Sequence, residues 1–237
     1  MRLQEIFDQL SSGEFSQLSI GRQPAGVINE ENRAAVINHI NLGLTALFKR
    51  FNLKRNALVL RLQDGISLYR LHSSFAVNGR RSQEPVRYII DTEDARFEDD
   101  IIKVEKVIGS VSGELPLNDD ADECSLKTPT ALKLWVPDDL ELQDLAVEYR
   151  ANHPKVVVGL GFFDPARVEI ELPDTHLEPL LYYVASRVHN PVGMSNEFHA
   201  GNSYFAKYEN ACQELEGKGI QVDQGQTNTR ARRNGWV

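Results

Sequence analysis

Segments with helical periodicity lie near both ends of this chain, and a long stretch with strand-like character separates them. Residues 30–50 carry the strongest helical signal, and residues 1–10 carry a shorter one, with its stripe at Leu3, Ile6, Phe7 and Leu10. In the longer segment an apolar residue recurs at alternating intervals of three and four positions, at Ile37, Ile40, Leu44, Leu47 and Phe51. This spacing predicts the buried face of an amphipathic helix, with Asn29 as its N-cap.

Two more helices are predicted after residue 172. The first lies within LPDTHLEPLLYYVASRVHNP, where Thr175 and Glu178 have the spacing of a capping box and Asn190-Pro191 ends the helix. Its apolar stripe consists of Leu177, Leu181, Val184 and Val188. The second helix has a heptad-like stripe and ends at Gly217 and Gly219. This second stripe consists of Phe198, Gly201, Phe205, Tyr208, Cys212 and Leu215.

Residues 56–172 have a different pattern. Short runs rich in Val, Ile, Leu or Tyr, bounded by Gly, Pro, Asn or Asp, predict about seven or eight strands. ALVLRL and ISLYRL flank Asp64-Gly65, which predicts a hairpin. KVVVGL (155–160) and RVEIEL (167–172) are predicted as the last two strands. Such a set predicts a small antiparallel sandwich or barrel.

These predictions combine into an α+β fold. We expect residues 1–55 and 173–219 to form a four-helix bundle, and residues 56–172 to form a β domain inserted between its second and third helices. Residues 220–237 are polar and have no apolar period, which predicts an extended C-terminal tail that has no structure in isolation.

The charge distribution separates this tail from the rest of the chain. The 237 residues carry a formal net charge of −8, but the tail holds three arginines and one aspartate and therefore carries +2. An acidic body lacks the cationic face of a general nucleic-acid binder. No apolar run is long enough to cross a membrane, and the first ten residues do not resemble an export signal. We therefore expect a protein that is made in the cytoplasm and has no membrane partner.

No motif of a serine hydrolase, zinc protease or nucleotide-binding enzyme occurs in the sequence. The six histidines and the two cysteines, Cys124 and Cys212, have no metal-binding spacing, and we expect both thiols to be free. The run DTEDARFEDD (91–100) does not match a calcium loop, and a solvated loop is the simpler interpretation. We expect no catalytic residue, no metal and no cofactor.

Three stretches resemble a known family: LSIGRQPAGVINEENRAAVINHINLGLTALFKRF, LVLRLQDGISLYRLHSSFAV and PLLYYVASRVHNPVGMSNEFHAGNSYFAKYENACQEL. Together with the helix–β–helix order, they resemble the head-to-tail adaptor proteins of short-tailed bacteriophages, in particular phages of the large type that carry a virion RNA polymerase. The resemblance implies a structural protein of the virion neck that forms a dodecameric ring beneath the portal protein. The β domain would face outward or toward the next tail component. Viral DNA would leave through the central channel without sequence-specific binding.

The resemblance also implies a role for the tail, because the C-terminal segment docks on the portal in that family. Arg230, Arg232 and Arg233 would then pair with portal carboxylates, and Trp236 beside Val237 would be a buried anchor. The alternative is a loose basic end without a function.

A ring requires a helix with a second apolar face. In the helix over 30–50, Ala35, Val36, Leu42 and Ala46 lie off the main stripe and are candidates for the interface between copies. Deeper burial within one subunit is the alternative, and periodicity does not separate the two.

Two other functions stay open at this point. A cell-wall glycosidase would need two carboxylates about 5–10 Å apart in a cleft, and Asp99 and Asp100 have no visible partner in the sequence. A β-barrel module with helical flanks that binds a small ligand would be a monomer with an apolar cavity.

Overall fold

The fold is α+β and divides into two compact units. Residues before Leu53 and after Asn152 form a helical unit, and Leu53–Asn152 form a β unit. The structure is a computed structural model. It describes residues 1–20, 24–78, 86–93, 95–158, 163–189 and 195–219, with the backbone alone for 195–199.

The described part of the helical unit contains four α-helices. They are α1 (Leu3–Ser12), α2 (Arg33–Arg50), α3 (Leu177–Val188) and α4 (Ser195–Gly217). The central one is α3, which packs against each of the other three and is buried around most of its circumference. The stripes predicted for the first two helices are confirmed, because all of their residues are buried.

The start of α2 differs from the prediction. The helix begins at Arg33, so Asn29 is not its N-cap. The Asn29 N–H donates to the side-chain oxygen of Asn32 (2.9 Å), and the Asn29 side chain accepts from the Glu31 N–H (3.0 Å). Asn29 therefore closes a turn that precedes the helix, and the side chain of Asn32 completes that turn.

The capping box predicted for α3 is wrong. Asp174–His176 form a 3-10 turn, so the helix begins at Leu177 and its N-cap is His176 rather than Thr175. The Glu178 carboxylate accepts a hydrogen bond from the Tyr182 hydroxyl (2.8 Å) instead of reaching back to the chain before the helix.

The stripe predicted for α4 is buried at Gly201, Tyr208, Cys212 and Leu215, and the helix ends at Gly217 as predicted. Phe205 is an exception with 44% of its surface exposed. The side chain of Phe198 lies outside the described residues. Because α4 packs mainly on α3, a narrower face of α4 is buried than a heptad stripe requires.

The β unit contains two antiparallel sheets. Their strands are β1 (Arg55–Arg61), β2 (Leu68–Arg70), β3 (Ile89–Ile90), β4 (Ile101–Gly109), β5 (Gly113–Leu115), β6 (Lys127–Thr130), β7 (Lys133–Trp135) and β8 (Asp144–Ala151). One sheet has the order β3-β1-β8-β4-β5 and the other has the order β2-β7-β6. Buried residues of both sheets, such as Leu60, Tyr69, Leu134 and Val147, belong to one apolar cluster.

The hairpin predicted around Asp64-Gly65 is wrong, although the turn exists and Gly65 has a φ of +74°. The strand β1 pairs with β8 along its whole length and with β3 on its other edge, and β2 pairs with β7. Both edges of β1 are thus occupied, so the chain after the turn joins the other sheet.

The last two predicted strands, KVVVGL and RVEIEL, are also wrong within the described residues. Residues 153–158 and 167–172 contain no strand beyond an isolated bridge between Arg2 and Glu169, and they belong to the helical unit. A side chain of α2 and the first residues of the chain bind these segments in place of a sheet neighbour. The β unit therefore ends at Asn152, whereas the sequence pattern predicts its end at residue 172.

Candidate assembly surface

The outward face of α2 carries three of the four residues predicted for an interface between copies. Ala35 and Leu42 are exposed and Ala46 is half-buried. Leu42, in the middle of the helix, has 53% of its surface exposed. Asn38, on the same face, is exposed as well. We call Ala35, Asn38, Leu42 and Ala46 the outer face of α2.

The fourth predicted residue, Val36, does not belong to this surface. Its side chain is fully buried within the chain, next to the buried Ile37 of the main stripe. For Val36 the alternative of deeper burial within one subunit is therefore correct, and the interface prediction is wrong. The buried face of α2 is wider than the stripe alone.

A close contact with α3 fixes the rotation of α2. A Cβ atom on Gly43 would lie 2.7 Å from the Leu180 Cδ1 and 3.0 Å from the Tyr183 Cδ1, so a side chain at this position would have to displace both neighbours. The two helices approach closely here because residue 43 has no side chain. Because this contact fixes the rotation of the helix, it also fixes the direction of the neighbouring Leu42 side chain.

The side chain of Asn41 binds an extended segment of the helical unit. Its Nδ2 donates to the Val156 carbonyl (2.9 Å), and its Oδ1 accepts from the Val156 N–H (2.9 Å). The next residue, Val157, has 73% of its surface exposed. Leu42 directly follows Asn41 and Val157 directly follows Val156, so each adjoins one member of this hydrogen-bonded pair. Asn41 was not predicted from the sequence, where its only distinguishing feature is a polar side chain beside the apolar stripe.

An ion-pair cluster at the end of α2 fastens α4 to this scaffold. Arg50 Nε donates to Glu216 (2.7 Å) and Arg50 Nη1 donates to Glu209 (2.8 Å). The hydrogen bond from Arg50 lowers the pKa of Glu216, and the same bond raises the pKa of Arg50. These ion pairs therefore hold the C-terminal half of α4 against the C-terminal end of α2.

The residues predicted to dock on a portal lie outside the described residues. They are Arg230, Arg232, Arg233, Trp236 and Val237. The last described residue is Gly219, which follows the C-terminus of α4.

The two carboxylates considered for a glycosidase have structural partners in the β unit. Asp99 accepts a hydrogen bond from the Ser73 N–H (2.6 Å). Asp100 accepts from the Tyr149 hydroxyl (2.8 Å) and from the Asn56 side chain (2.8 Å). Burial and the adjacent Asp100 raise the pKa of Tyr149, so this hydroxyl stays a donor. Asp100 thus holds the end of the acidic loop against β1 and β8, and Asp99 holds it to the turn at Ser73.

A groove of about 400 Å³ lies beside β1 in the β unit. Its walls include Val59, Ile90, Phe97 and Tyr149. The ligand-binding alternative requires an apolar cavity. This groove is a candidate for it, and the alternative itself stays a prediction. No three metal-binding side chains converge within the described residues. The helices in the same part of the chain are too short or too polar to cross a bilayer.

Comparison of the sequence with models of known protein families gives no match, and comparison with curated proteins gives none either.

Proposed function

We propose that this chain is a structural protein of a phage virion, a head-to-tail adaptor that forms a ring beneath the portal protein. In this proposal the ring is dodecameric, joins the capsid to the next tail component, and surrounds the channel through which viral DNA leaves. The helices form a four-helix bundle in the ring wall, and the β unit is an inserted sandwich. The tail over residues 220–237 docks on the portal.

The observation that carries the proposal is the outer face of α2. Leu42 is exposed there on a helix whose rotation is fixed by Gly43, and the exposed Val157 follows Val156, which Asn41 binds. Single exposed apolar residues are common on soluble proteins. Here the contact at Gly43 fixes the direction of Leu42, and the two hydrogen bonds of Asn41 fix the backbone next to Val157. Both apolar side chains therefore have defined positions in which another subunit could contact them.

The charge of the chain is compatible with a DNA channel. A net charge of −8 repels phosphates, so DNA would pass without being retained. The tail has the opposite sign, which suits docking on portal carboxylates. Many such tails acting together would bind tightly even if each were weak.

The interface test compares two substitutions that each replace an exposed apolar residue with glutamate. Leu42→Glu places a charge on the outer face of α2, and Val111→Glu places one on the β unit, where Val111 has 74% of its surface exposed. Electron microscopy of each variant mixed with portal protein should show rings for the wild type and Val111→Glu and none for Leu42→Glu. Rings formed equally by all three would contradict the assignment of this surface.

The docking test uses the full chain and a chain that ends at Ile220 in the same assay. Rings on the portal from the full chain alone would support the tail as the docking element. Equal binding by both would assign the contact to the folded part. If the full chain does not bind any portal from short-tailed phages, the adaptor proposal is wrong.

A further inference from the structure

A groove of about 440 Å³ lies in the helical unit between α3 and the C-terminal half of α4. Apolar side chains of both helices line it: Pro179 belongs to α3, and Ala211 and Leu215 belong to α4. Ala211 and Leu215 are four positions apart, so they lie on one face of the helix, about 6 Å apart along its axis. We call this space the α3–α4 groove.

The charged side chains at the rim of the α3–α4 groove already have partners. Lys218 Nζ donates to Glu214 (3.2 Å), and the Glu178 carboxylate accepts a hydrogen bond from the Tyr182 hydroxyl (2.8 Å). The ammonium group of Lys207 lies 5.7 Å from the centre of the Tyr182 ring, in a cation–π contact. None of these charges requires a charged ligand. An occupant of the groove therefore gains most by burying apolar surface.

The chain leaves α4 beside this groove through a glycine C-cap. Gly219 has a φ of +65°, and its N–H donates to the Glu216 carbonyl (3.2 Å). With Lys218 as the C-cap residue, these are the left-handed glycine and the inner hydrogen bond of a Schellman motif. The outer bond of that motif joins the N–H of the next residue, Ile220, to the Leu215 carbonyl. That carbonyl accepts no backbone hydrogen bond within the described residues.

We propose that residues 220–222, IQV, bind in the α3–α4 groove of the same chain. The outer Schellman bond brings Ile220 beside Leu215, and an apolar contact between these two positions commonly accompanies it. In an extended segment Ile220 and Val222 project from one face, about 6.6 Å apart. That spacing matches the step from Leu215 to Ala211 along α4. Val222 therefore reaches Ala211 when Ile220 lies on Leu215.

The sequence of the tail limits the contact to these residues. Gln221 projects from the opposite face of an extended segment and stays in solvent. Residues 223–229, DQGQTNT, contain no apolar side chain, so apolar binding ends at Val222. The base of the tail is then fixed, and residues 223–237 extend from it by at most about 50 Å. In an adaptor this contact would set the point from which the docking tail starts, but it lies within one chain and requires no portal.

Disulfide trapping in the full chain tests the contact. Cys124 is exposed and is first replaced by serine, and Cys212 is buried and is kept. Val222→Cys is then combined with Ala211→Cys, which lines the groove, or with Gln213→Cys, which is exposed on another face of α4. We expect an intramolecular disulfide in the first pair at least tenfold faster than in the second. Tryptic peptide mapping identifies the disulfide, and non-reducing electrophoresis separates the cross-linked monomer from a dimer.

Three results of the trapping assay would overturn the proposal. Equal rates in the two pairs are what a loose tether gives, and the absence of any cross-link would mean that the segment lies elsewhere. A cross-linked dimer would assign the α3–α4 groove to the tail of a second copy. None of these results depends on portal binding, so a failure of this contact and a failure of the adaptor proposal are distinguishable.

Amide exchange tests the same contact without oxidation. In the native chain the Ile220 amide should exchange at least tenfold more slowly than the Gln221 amide, because only the Ile220 N–H binds the Leu215 carbonyl. Val222→Ser should make exchange at Ile220 about tenfold faster. Gln224→Ser, just beyond the apolar segment, is the matched control and should leave it unchanged. Equal exchange at Ile220 and Gln221 in the native chain, or no response to Val222→Ser, contradicts the proposal.

Discussion

The two units hold extended backbone in different ways. In the β unit, β8 lies between β1 and β4, and its backbone pairs with both neighbours. In the helical unit, the segment 153–158 is held by side chains: Asn41 binds Val156, and the imidazole of His153 accepts a hydrogen bond from the Glu171 N–H. Both regions have strand-like sequences. The comparison shows that a valine-rich run becomes a strand only where a neighbouring backbone is free to pair with it.

Proline substitution should separate the two arrangements by the largest effect. Val147 in β8 faces Leu58 on β1 and Val107 on β4, so Val147→Pro removes a ladder hydrogen bond from a central strand and should lower the free energy of unfolding by about 3 kcal/mol or more. Val157→Pro is the matched control, because its N–H has no partner among the described residues. It should cost at most about 1 kcal/mol. Urea unfolding followed by tryptophan fluorescence and by circular dichroism measures both, and similar costs would remove the distinction.

The side chain that replaces a strand should have an intermediate effect. Asn41→Ala removes two hydrogen bonds and leaves the Val156 N–H and C=O unsatisfied, so we expect a loss of about 2 kcal/mol. Asn38→Ala is the control on the same helix, because Asn38 is exposed on the outer face, and it should change stability by less than about 0.5 kcal/mol. Amide exchange should also accelerate at Val156 in the first variant alone. If the control is equally destabilising, helix propensity rather than the bond to Val156 is responsible.

The sequence predicts the helices better than the strands for a physical reason. The stripes of α1 and α2 depend on residues within one segment, and burial follows wherever that face meets a core. The hairpin at Asp64-Gly65 and the strands over 155–160 and 167–172 depend on which partner reaches the backbone first. That partner is β8 for β1 and Asn41 for Val156, both far away in the sequence. Short-range patterns do not contain this information.

The candidate surface was predictable to a similar extent. Ala35 and Leu42 lie on the exposed side of α2, as their positions off the stripe indicate. Val36 lies off the stripe too, but it borders it, and the width of the buried face depends on how closely α3 approaches at Gly43. The role of Asn41 could not be predicted because its partner is 115 residues away.

The ion pairs at the end of α2 should show the smallest effect and a pH dependence. Arg50→Met should cost about 1 kcal/mol at neutral pH, because these partners are partly exposed. Arg50 lowers the pKa of Glu216 in the folded chain from its usual 4.5, so the stabilisation is fully present above that pKa and is lost as the pH falls through the lowered folded value. Wild type and variant should therefore converge in stability in acid. Lys218→Met, which removes a largely exposed pair with Glu214, is the control and should cause no measurable change at either pH. A difference that persists in acid would mean that the Arg50 side chain stabilises the helical unit by packing of its methylene groups, and that α4 is held by apolar contact as α3 is.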